Sequence, residues 1–494
     1  MKSSETLTLE QYFQKFRNNI IGIDQKFITP YGEKKLLYTD WTASGRLYRP
    51  IEDKLINDFG PFVANTHTET STSGAAMTLA YHEARNIIKR HVNASSEDVL
   101  ITEGSGMTGV VNKFQRILGL KVSENLREYT TIPDEKRPIV FVSHMEHHSN
   151  QTSWIETIAD VEVVPCNNEG LVCLEMFEKV IQKYEDRPIK IASIIGGSNV
   201  TGIKTDYHKV AALIHKYNGL CFVDFACSAP YVDIDMHPEN ENEYLDAIFF
   251  SPHKFLGGPG SSGVLIFNKK LYKNVIPDNP GGGTVTYTNP WGEHDYIDDV
   301  ETREDGGTPA FLQTIRIALS MQLKEQMGTA NIKAREDEIN KVMFDCLEKL
   351  DGVHILAPNH KDRLSIFSFY FEKYHFNLVV KLLNDRFGIQ TRGGCSCAGT
   401  YGHFLLNVDR ETSKSIENQI LEGCNIEKPG WIRLSIHPTI TIQELEFICN
   451  SLKELVTNIE NWSKDYTYDP IKNDYVHNSV TPIEKELVKN WFSI

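Results

Sequence analysis

A lysine and an aspartate follow two apolar segments at positions where their side chains could share one site. Lys254 stands in "FFSPHKFLGGPGSSG" (249–263), and Asp224 lies in "CFVDFACSAP" (221–230). A desolvated lysine at a strand end has a lowered pKa and can serve as an amine nucleophile. A carboxylate can keep a pyridinium nitrogen protonated. The pair predicts pyridoxal phosphate chemistry; a surface lysine in a glycine-rich turn and a turn-capping aspartate are the alternatives.

Three further polar turns follow apolar runs. In "ITEGSGMTGVVNKF" (101–114), backbone N–H groups and a helix start suit a phosphate, although the turn is neither a Walker nor a GxGxxG motif. "VSHMEHHSNQTSW" (142–154) carries His147 and His148, and "GGSNVTGIKTD" (196–206) carries Asn199. Adjacent side chains do not face one way, so we expect one functional and one structural histidine. A zinc site is the alternative, but convergent Cys or carboxylate spacing is missing.

The stretch "QTRGGCSCAGTYGHFLL" (390–406) holds two cysteines, Cys395 and Cys397, behind a glycine pair. It could be a tight turn, a metal clip, a disulfide or a loop that presents a reactive thiol. A disulfide is disfavoured because one intervening residue would close a strained ring. A metal clip is a weak prediction because no second cysteine pair lies nearby.

These residues must be positioned by a sheet, because apolar runs alternate with helical stretches from about residue 75 to 275. This alternation predicts a mostly parallel sheet with helices on both faces, which binds ligands at the carboxyl ends of its strands. From about 310 the pattern changes to a helical tract at 319–350 with a break near Gly328, a half-buried strand at 364–372 and a strand at 431–438. A helix at 441–462 starts with the capping box of Thr441 and Glu444. Residues 463–494 read as a polar tail with a short helical piece.

Composition narrows the class of protein. The 494 residues carry a formal net charge of −15, which argues against nucleic-acid or anionic-membrane partners. Nine scattered cysteines do not form a secreted disulfide framework, and no apolar run of membrane-spanning length is visible. We therefore expect a cytoplasmic protein without a membrane partner and without a metal.

Together, Lys254, Asp224, His147 and Asn199 make the chain resemble the class V aminotransferase family of fold-type I pyridoxal-phosphate enzymes. The likeness covers about residues 35 to 460 and is greatest to cysteine desulfurases and selenocysteine lyases, with a secondary likeness to molybdenum-cofactor sulfurases. It implies an α/β large domain with a mostly parallel seven-stranded sheet flanked by helices, plus a smaller α+β C-terminal domain. We predict an N-terminal segment that packs on the small domain (1–35), the large domain (36–310), the small domain (311–462) and a C-terminal extension (463–494).

The resemblance also implies residue roles toward pyridoxal 5'-phosphate. Lys254 matches the Schiff-base lysine, Asp224 the partner of the pyridine nitrogen, and His147 the imidazole stacked on the ring. The remaining cofactor contacts it implies are Met107, Thr108, Ser251 and His253 at the phosphate, Asn199 and Cys227 near the ring hydroxyl, and Thr308, which reaches the phosphate of the second subunit of a homodimer.

For the substrate, the resemblance implies that Arg433 clamps an amino-acid carboxylate, with Arg392 and Asn199 beside it. Cys397 falls on the position of the reactive cysteine. The implied reaction converts L-cysteine to L-alanine and leaves a persulfide on Cys397. A possible partner is a sulfur-acceptor protein that takes the sulfur from this persulfide.

The sequence departs from the family pattern in places that leave the substrate open. Cys227 replaces a common Gln, Gly109 replaces a common Glu, and "RGGCSCAG" replaces the Arg-x-Gly-His-His-Cys-Ala loop, while "PGGGTV" (280–285) resembles the sulfurase branch. An aminotransferase or lyase acting on another amino acid is the main alternative. A sulfur-carrier or metal-binding scaffold is a weaker one, and an inactive protein is disfavoured by the intact Lys254 and Asp224.

Overall fold

The computed structural model describes residues 7–66, 68–423, 425–426, 428–479 and 484–493. Its α-helices are Leu9–Arg17, Arg49–Lys54, Thr72–His91, Met107–Ile117, His148–Ile155, Leu174–Gln182, Tyr207–Lys216, Val300–Arg303, Phe311–Met327, Thr329–Leu347, Phe376–Leu382, Gly399–Leu405, Arg410–Leu421, Ile442–Trp462 and Glu484–Trp491. Among the described helices, none is long and apolar enough to cross a membrane.

The largest sheet has seven strands. In chain order they are β1 (Asp98–Glu103), β2 (Ile139–Ser143), β3 (Asp160–Val164), β4 (Lys190–Ile195), β5 (Leu220–Asp224), β6 (Ala247–Phe250) and β7 (Gly263–Asn268). Across the sheet the order is β1-β7-β6-β5-β4-β2-β3. Only β7 runs against its neighbours β1 and β6, and the other strands are mutually parallel. The predicted mostly parallel seven-stranded sheet is confirmed.

Burial on both faces explains why these segments form central strands. Strands β2, β4 and β6 are buried along their whole length. One face packs against a cluster that includes Phe141 and Phe177, and the other against a cluster that includes Phe114 and Phe222. Such continuous apolar strands are typical of a parallel sheet covered by helices on both sides. The sheet is therefore a fixed platform, and its strand ends are fixed with it.

A second, antiparallel sheet forms the core of the smaller domain. Its strands are β8 (Val353–Ile355), β9 (Ile366–Phe371), β10 (Arg392–Gly394) and β11 (Trp431–Ser435), in the order β8-β9-β11-β10. The helix break at Gly328, with φ of +74°, and the capping box at Thr441 are both present. The expectation of a half-buried strand at 364–372 is wrong, because only Tyr370 within β9 is not fully buried. The Ser368 hydroxyl donates to the Val200 carbonyl at 2.6 Å, so a large-domain turn covers that strand.

Four short two-stranded pairs lie outside the two larger sheets in the described part of the chain. They are Lys26–Thr29 with Gly32–Lys35, Leu37–Tyr38 with Ile389–Gln390, Val285–Thr288 with His294–Tyr296, and Tyr466–Asp469 with Asp474–His477. The reading of residues 463–494 as a polar tail is incomplete, since Tyr466 is buried and its hydroxyl donates to Asp385 at 2.9 Å. Near the other end, Arg17 pairs with Glu444 at 2.6 Å. The predicted domain limits stay a prediction.

Candidate active site

A cavity of about 210 Å³ lies at the carboxyl ends of the large-sheet strands, where the small domain meets them. All of the predicted site residues except Thr308 line it. They are Met107, Thr108, His147, Asn199, Asp224, Cys227, Ser251, His253, Lys254, Arg392, Cys397 and Arg433. The remaining lining residues are Thr42, Ala43, Ser149, Ile195, Ala226 and Ser396. The predicted residues therefore converge on one cavity.

Asp224 is the last residue of β5 and is 1% exposed. Its Oδ1 accepts the Ala226 N–H at 2.8 Å, whereas its Oδ2 has no hydrogen-bond partner. Burial raises the pKa of Asp224 to about 6, against the opposing hydrogen bond from Ala226 and the charge of Lys254. A buried carboxylate oxygen without a partner is costly. It is explained if a positively charged ligand group binds at this point of the cavity.

Lys254 ends the single helical turn Pro252–Lys254 that follows β6. Burial lowers the pKa of Lys254, and the positive charge of Arg433 acts in the same direction. Cys227 lies three residues after Asp224, is 2% exposed, and has a pKa raised to about 11 by burial. Its thiol is therefore protonated at neutral pH, unlike an activated nucleophile. Lys254 is therefore a better candidate nucleophile than Cys227 at this end of the cavity.

The start of helix Met107–Ile117 forms the predicted phosphate turn. Gly104 has φ of +61°, a conformation that favours glycine, and the Met107 N–H donates to the Ser251 Oγ at 2.9 Å. A Cβ on Gly106 would lie 3.1 Å from that Oγ and 3.7 Å from the His253 ring. Burial and the charge of Lys254 lower the pKa of His253 to about 4. The turn, the hydroxyl and the ring form a compact, polar cradle at a helix N-terminus, which suits an anion.

His147 caps the helix His148–Ile155, and its Nδ1 accepts the Ser149 N–H at 3.1 Å. This bond places the ring proton of the neutral form on Nε2. Burial, followed by the positive charge of Lys254, lowers the pKa of His147 to about 3. Ser149 also joins His147 to the phosphate turn, because its hydroxyl lies 2.7 Å from that of Thr108. The sequence did not indicate Ser149, although it stands beside the predicted histidine pair.

Arg433 and Arg392 share one carboxylate, that of Asp40. Arg433 Nη2 lies 2.7 Å from Asp40 Oδ1 and Arg392 Nε lies 3.0 Å from Asp40 Oδ2. Arg433 also donates to the Asn199 carbonyl at 3.0 Å, and its Nε has no partner. Two guanidinium groups therefore face one internal carboxylate, which leaves positive charge at this end of the cavity. Sequence reasoning missed Asp40, whose signal is an acid directly after the apolar "LLYT" run.

Cys395 and Cys397 occupy different surroundings. Cys395 is half-buried and packs against an apolar cluster that includes Met145 and Trp431, whereas Cys397 is exposed and lines the cavity. Asn199 Nδ2 donates to the Ser396 carbonyl at 2.7 Å, while its Oδ1 has no partner. Of the two loop cysteines, Cys397 is thus the one with access to the same space as Lys254.

Thr308 lies outside the cavity. It is exposed, and its hydroxyl is 3.4 Å from Asn65 Oδ1. Its predicted reach into the site of a second subunit stays a prediction. Within the described residues, no group of three or more His, Cys, Asp or Glu side chains could hold a metal ion. The partnerless Asp224 oxygen, the cradle at Gly106 and the adjacent lysine fit pyridoxal phosphate better than a metal.

Sequence comparison gives a family match. The model of the family described as Aminotransferase class-V matches residues 37–448. A probable cysteine desulfurase of Halalkalibacterium halodurans is 28% identical over 372 residues, which cover 74% of this chain and 84% of that protein. A probable cysteine desulfurase of Staphylococcus aureus strain Mu50 is 27% identical over 370 residues, with the same two coverages.

Solved structures share the fold. The apo cysteine desulfurase of Thermococcus onnurineus NA1 superposes with a TM-score of 0.72 at 20% identity, and the match covers 90% of this chain and 98% of that one. The Escherichia coli cysteine desulfurase CsdA gives a TM-score of 0.70 at 19% identity, covering 92% and 100%. The predicted fold-type I architecture is therefore confirmed.

Proposed function

Because the chain belongs to the class-V aminotransferase family, whose members are pyridoxal-phosphate-dependent enzymes, we propose that it acts as a cysteine desulfurase. It would convert L-cysteine to L-alanine and hold the released sulfur as a persulfide on Cys397. The observation that carries this proposal is the position of Cys397 in the wall of the cavity that Lys254 and Asp224 also line.

The large-domain residues would hold the cofactor. The N–H groups at the start of helix Met107–Ile117 and the side chains of Ser251 and His253 would bind its phosphate. Asp224 would pair with its ring nitrogen, and the neutral His147 would pack on its ring. When bound, pyridoxal phosphate supplies an electron sink for charge that develops on the substrate. In a homodimer, Thr308 of a second copy would add a phosphate contact.

Lys254 would move protons at the substrate's Cα. Burial lowers its pKa, so a larger fraction of the amine is neutral near pH 7 than for an exposed lysine. A neutral amine can accept a proton, and the resulting ammonium can return it. Asp224, at the end of the neighbouring strand β5, stabilises the positive charge that Lys254 then carries.

Arg433 and Arg392 would orient the substrate by its carboxylate. Arg433 is 3% exposed, lies in the middle of β11 and is fixed by Asp40 and the Asn199 carbonyl. Planar guanidinium groups bind carboxylates in a defined orientation, which aims the substrate thiol at one wall of the cavity. Asp40 already pairs with both arginines, so a substrate carboxylate must compete with it or share them.

Cys397 would act as the nucleophile. Its thiolate attacks the sulfur of the substrate, so that a sulfur–sulfur bond forms and the substrate carbon–sulfur bond breaks. The electron pair of the broken bond stays with the carbon, which takes up a proton and becomes the methyl group of alanine. The exposure of Cys397 leaves its sulfur accessible to a sulfur-acceptor protein. The free thiol that starts the reaction suits a reducing, cytoplasmic compartment.

The proposal is tested by incubating the purified protein, loaded with pyridoxal phosphate, with L-cysteine and a thiol reductant. We expect sulfide and alanine in equal amounts. Other L-amino acids serve as the matched comparison, because an aminotransferase or lyase would convert one of them. Conversion of another amino acid without any sulfide from L-cysteine would overturn the desulfurase proposal and favour that alternative.

A further inference from the structure

The backbone around Cys397 has an uncommon conformation. Ser396 has φ of +51° and Cys397 has φ of +57°, so two consecutive residues that are not glycine lie in the left-handed region. Side chains make this region unfavourable, and two such residues in a row persist only where surrounding contacts fix them. Contacts with neighbouring residues must therefore hold Ser396 and Cys397 in this conformation.

His148 contacts the Cys397 loop through both its backbone and its side chain. The His148 N–H donates to the Cys397 carbonyl at 2.8 Å, and His148 Nε2 accepts the Gly399 N–H at 2.9 Å. The fit is close, since a Cβ on Gly399 would lie 3.1 Å from that Nε2. The loop from Cys395 to Gly399 is thus joined to the first residue of helix His148–Ile155 on the large domain.

The Gly399 bond also fixes the chemical form of His148. A ring nitrogen that accepts an amide N–H carries no proton, so the proton of the neutral ring is on Nδ1. Burial and the positive charge of Lys428 lower the pKa of His148, which favours this neutral form. The adjacent His147 faces the cavity instead. His147 therefore lines the cavity, whereas His148 contacts the loop.

We propose that His148 is a positioning residue, which holds the Cys397 loop in the conformation that directs the thiol into the cavity. The consequence for turnover rests on the proposed function, whereas the consequence for loop order does not. With His148 in place the left-handed pair is maintained and Cys397 is kept near the bound substrate. Without the Nε2 acceptor the Gly399 N–H loses its partner, while the backbone bond to Cys397 and the Asn199 bond to Ser396 remain. The loop amides then open more often, and Cys397 spends less time in this position.

The test compares two substitutions in the holoenzyme. His148→Leu removes the acceptor at Nε2 but keeps the apolar bulk of the ring. His148→Gln keeps an acceptor, because the amide oxygen of glutamine reaches about as far as Nε2. Thr152→Val is the matched control, since Thr152 lies one turn further along the same helix and bonds only the His148 carbonyl at 2.7 Å. Circular dichroism and the unfolding temperature identify variants that fail to fold.

The first measurement is hydrogen–deuterium exchange of the peptide spanning residues 391–401, without substrate. We expect exchange of its amides to rise roughly fivefold or more in His148→Leu, and to stay near the parent rate in His148→Gln and Thr152→Val. The second is kcat and KM for L-cysteine, where His148→Leu should lower kcat several-fold and leave KM unchanged. If His148 acted only by packing of its ring, glutamine would not restore the parent values.

Unchanged exchange in folded His148→Leu would overturn the proposal, as would a glutamine variant that behaves like the leucine variant. A parent enzyme that forms no sulfide from L-cysteine would instead overturn the desulfurase proposal. The exchange measurement would then still test the role of His148, because it needs no substrate.

Discussion

Two walls of one cavity are built in different ways. The large-domain wall consists of residues at or just after strand ends, such as Asp224 at the end of β5 and Ser251 after β6, on a sheet buried on both faces. The opposite wall carries Cys397 on a loop between short elements, with left-handed backbone at two successive residues. That loop accepts hydrogen bonds from the His148 N–H and the Asn199 amide, and its Gly399 N–H donates to His148 Nε2.

The difference separates two tasks. A cofactor must be held in one orientation, and strand ends of a packed sheet provide fixed positions. A sulfur-carrying thiol must face the substrate and afterwards an acceptor, and a loop fixed by a few hydrogen bonds can be released without unfolding the domain. We therefore expect substitutions in the large-domain wall to affect chemistry and cofactor binding, and substitutions in the loop to affect sulfur transfer.

Lys254→Ala should give the largest effect. The variant loses the amine that we propose moves protons at the substrate's Cα, so sulfide formation should fall by roughly 10⁴-fold. The visible absorbance of the enzyme-bound cofactor should also change. Lys254→Arg serves as the control for charge, because it keeps a cation without a usable amine. A Lys254→Ala enzyme with an unchanged spectrum would contradict the proposed cofactor position.

Cys397→Ser and Cys395→Ser form a matched pair within the loop. Serine is a far weaker nucleophile than a thiolate, so Cys397→Ser should lower sulfide formation roughly 10³-fold while cofactor binding is unchanged. Cys395 packs against apolar residues outside the cavity lining, and its serine variant should lose only a few-fold. Steady-state sulfide assays on both variants, with absorbance as the cofactor control, check the contrast. Equal losses would mean that the two cysteines act together.

Asp224→Asn should weaken activity and stabilise the folded protein at once. An asparagine cannot form a charge-assisted bond to the ring nitrogen, so activity should fall roughly 10²-fold. The pKa of Asp224 is raised from 3.8 to about 6, which means that ionisation opposes folding. The penalty is absent below pH 3.8, grows as pH rises and is complete above about 6.

In the protein without cofactor, Asp224→Asn should therefore raise the free energy of unfolding at pH 7 by on the order of 3 kcal/mol. The gain should disappear below pH 4. Urea denaturation at both pH values measures it, and Asp351→Asn, at an exposed aspartate outside the cavity lining, serves as a comparison. A variant less stable than the parent at pH 7 would show that the buried carboxylate has a stabilising partner.

Asp40→Asn should have the smallest effect and should concern substrate selection. Removing the carboxylate that Arg433 and Arg392 share leaves more positive charge for ligands. We expect dicarboxylates such as succinate to inhibit about tenfold more strongly, and monocarboxylates such as propionate to gain less. Inhibition constants for the two acids give the comparison. Weaker binding of both would mean that Asp40 mainly orients the arginines.

The strand-end residues could be predicted from sequence because their signals are local. An apolar run that ends in Asp224, or in "SPHK" before Lys254, is visible within about ten residues, and the sheet then brings the ends together. The separation of His147 and His148 followed from the alternation of adjacent side chains, although not the target of each. The resemblance to the family then supplied the role predicted for each of these residues.

Long-range and strained features could not be predicted in this way. Asp40 lies 393 residues from Arg433 along the chain, and the bridge between Asp40 and Ser435, beside the pairing of Leu37–Tyr38 with Ile389–Gln390, brings these regions together. The left-handed pair occurs at Ser396 and Cys397 rather than at a glycine, so residue type gives no signal. The buried Tyr466 in the C-terminal extension likewise depends on a distant partner, Asp385.

The central claim is that Cys397 takes sulfur from L-cysteine inside the cavity. The most direct measurement is peptide mass spectrometry of the enzyme after brief exposure to L-cysteine without reductant, with free thiols and persulfides trapped by alkylation. We predict the added mass of one sulfur atom on Cys397, in the parent and in Cys395→Ser, and no such mass in Lys254→Ala. Sulfur on Cys395 alone, or none on the loop while alanine accumulates, would contradict the claim.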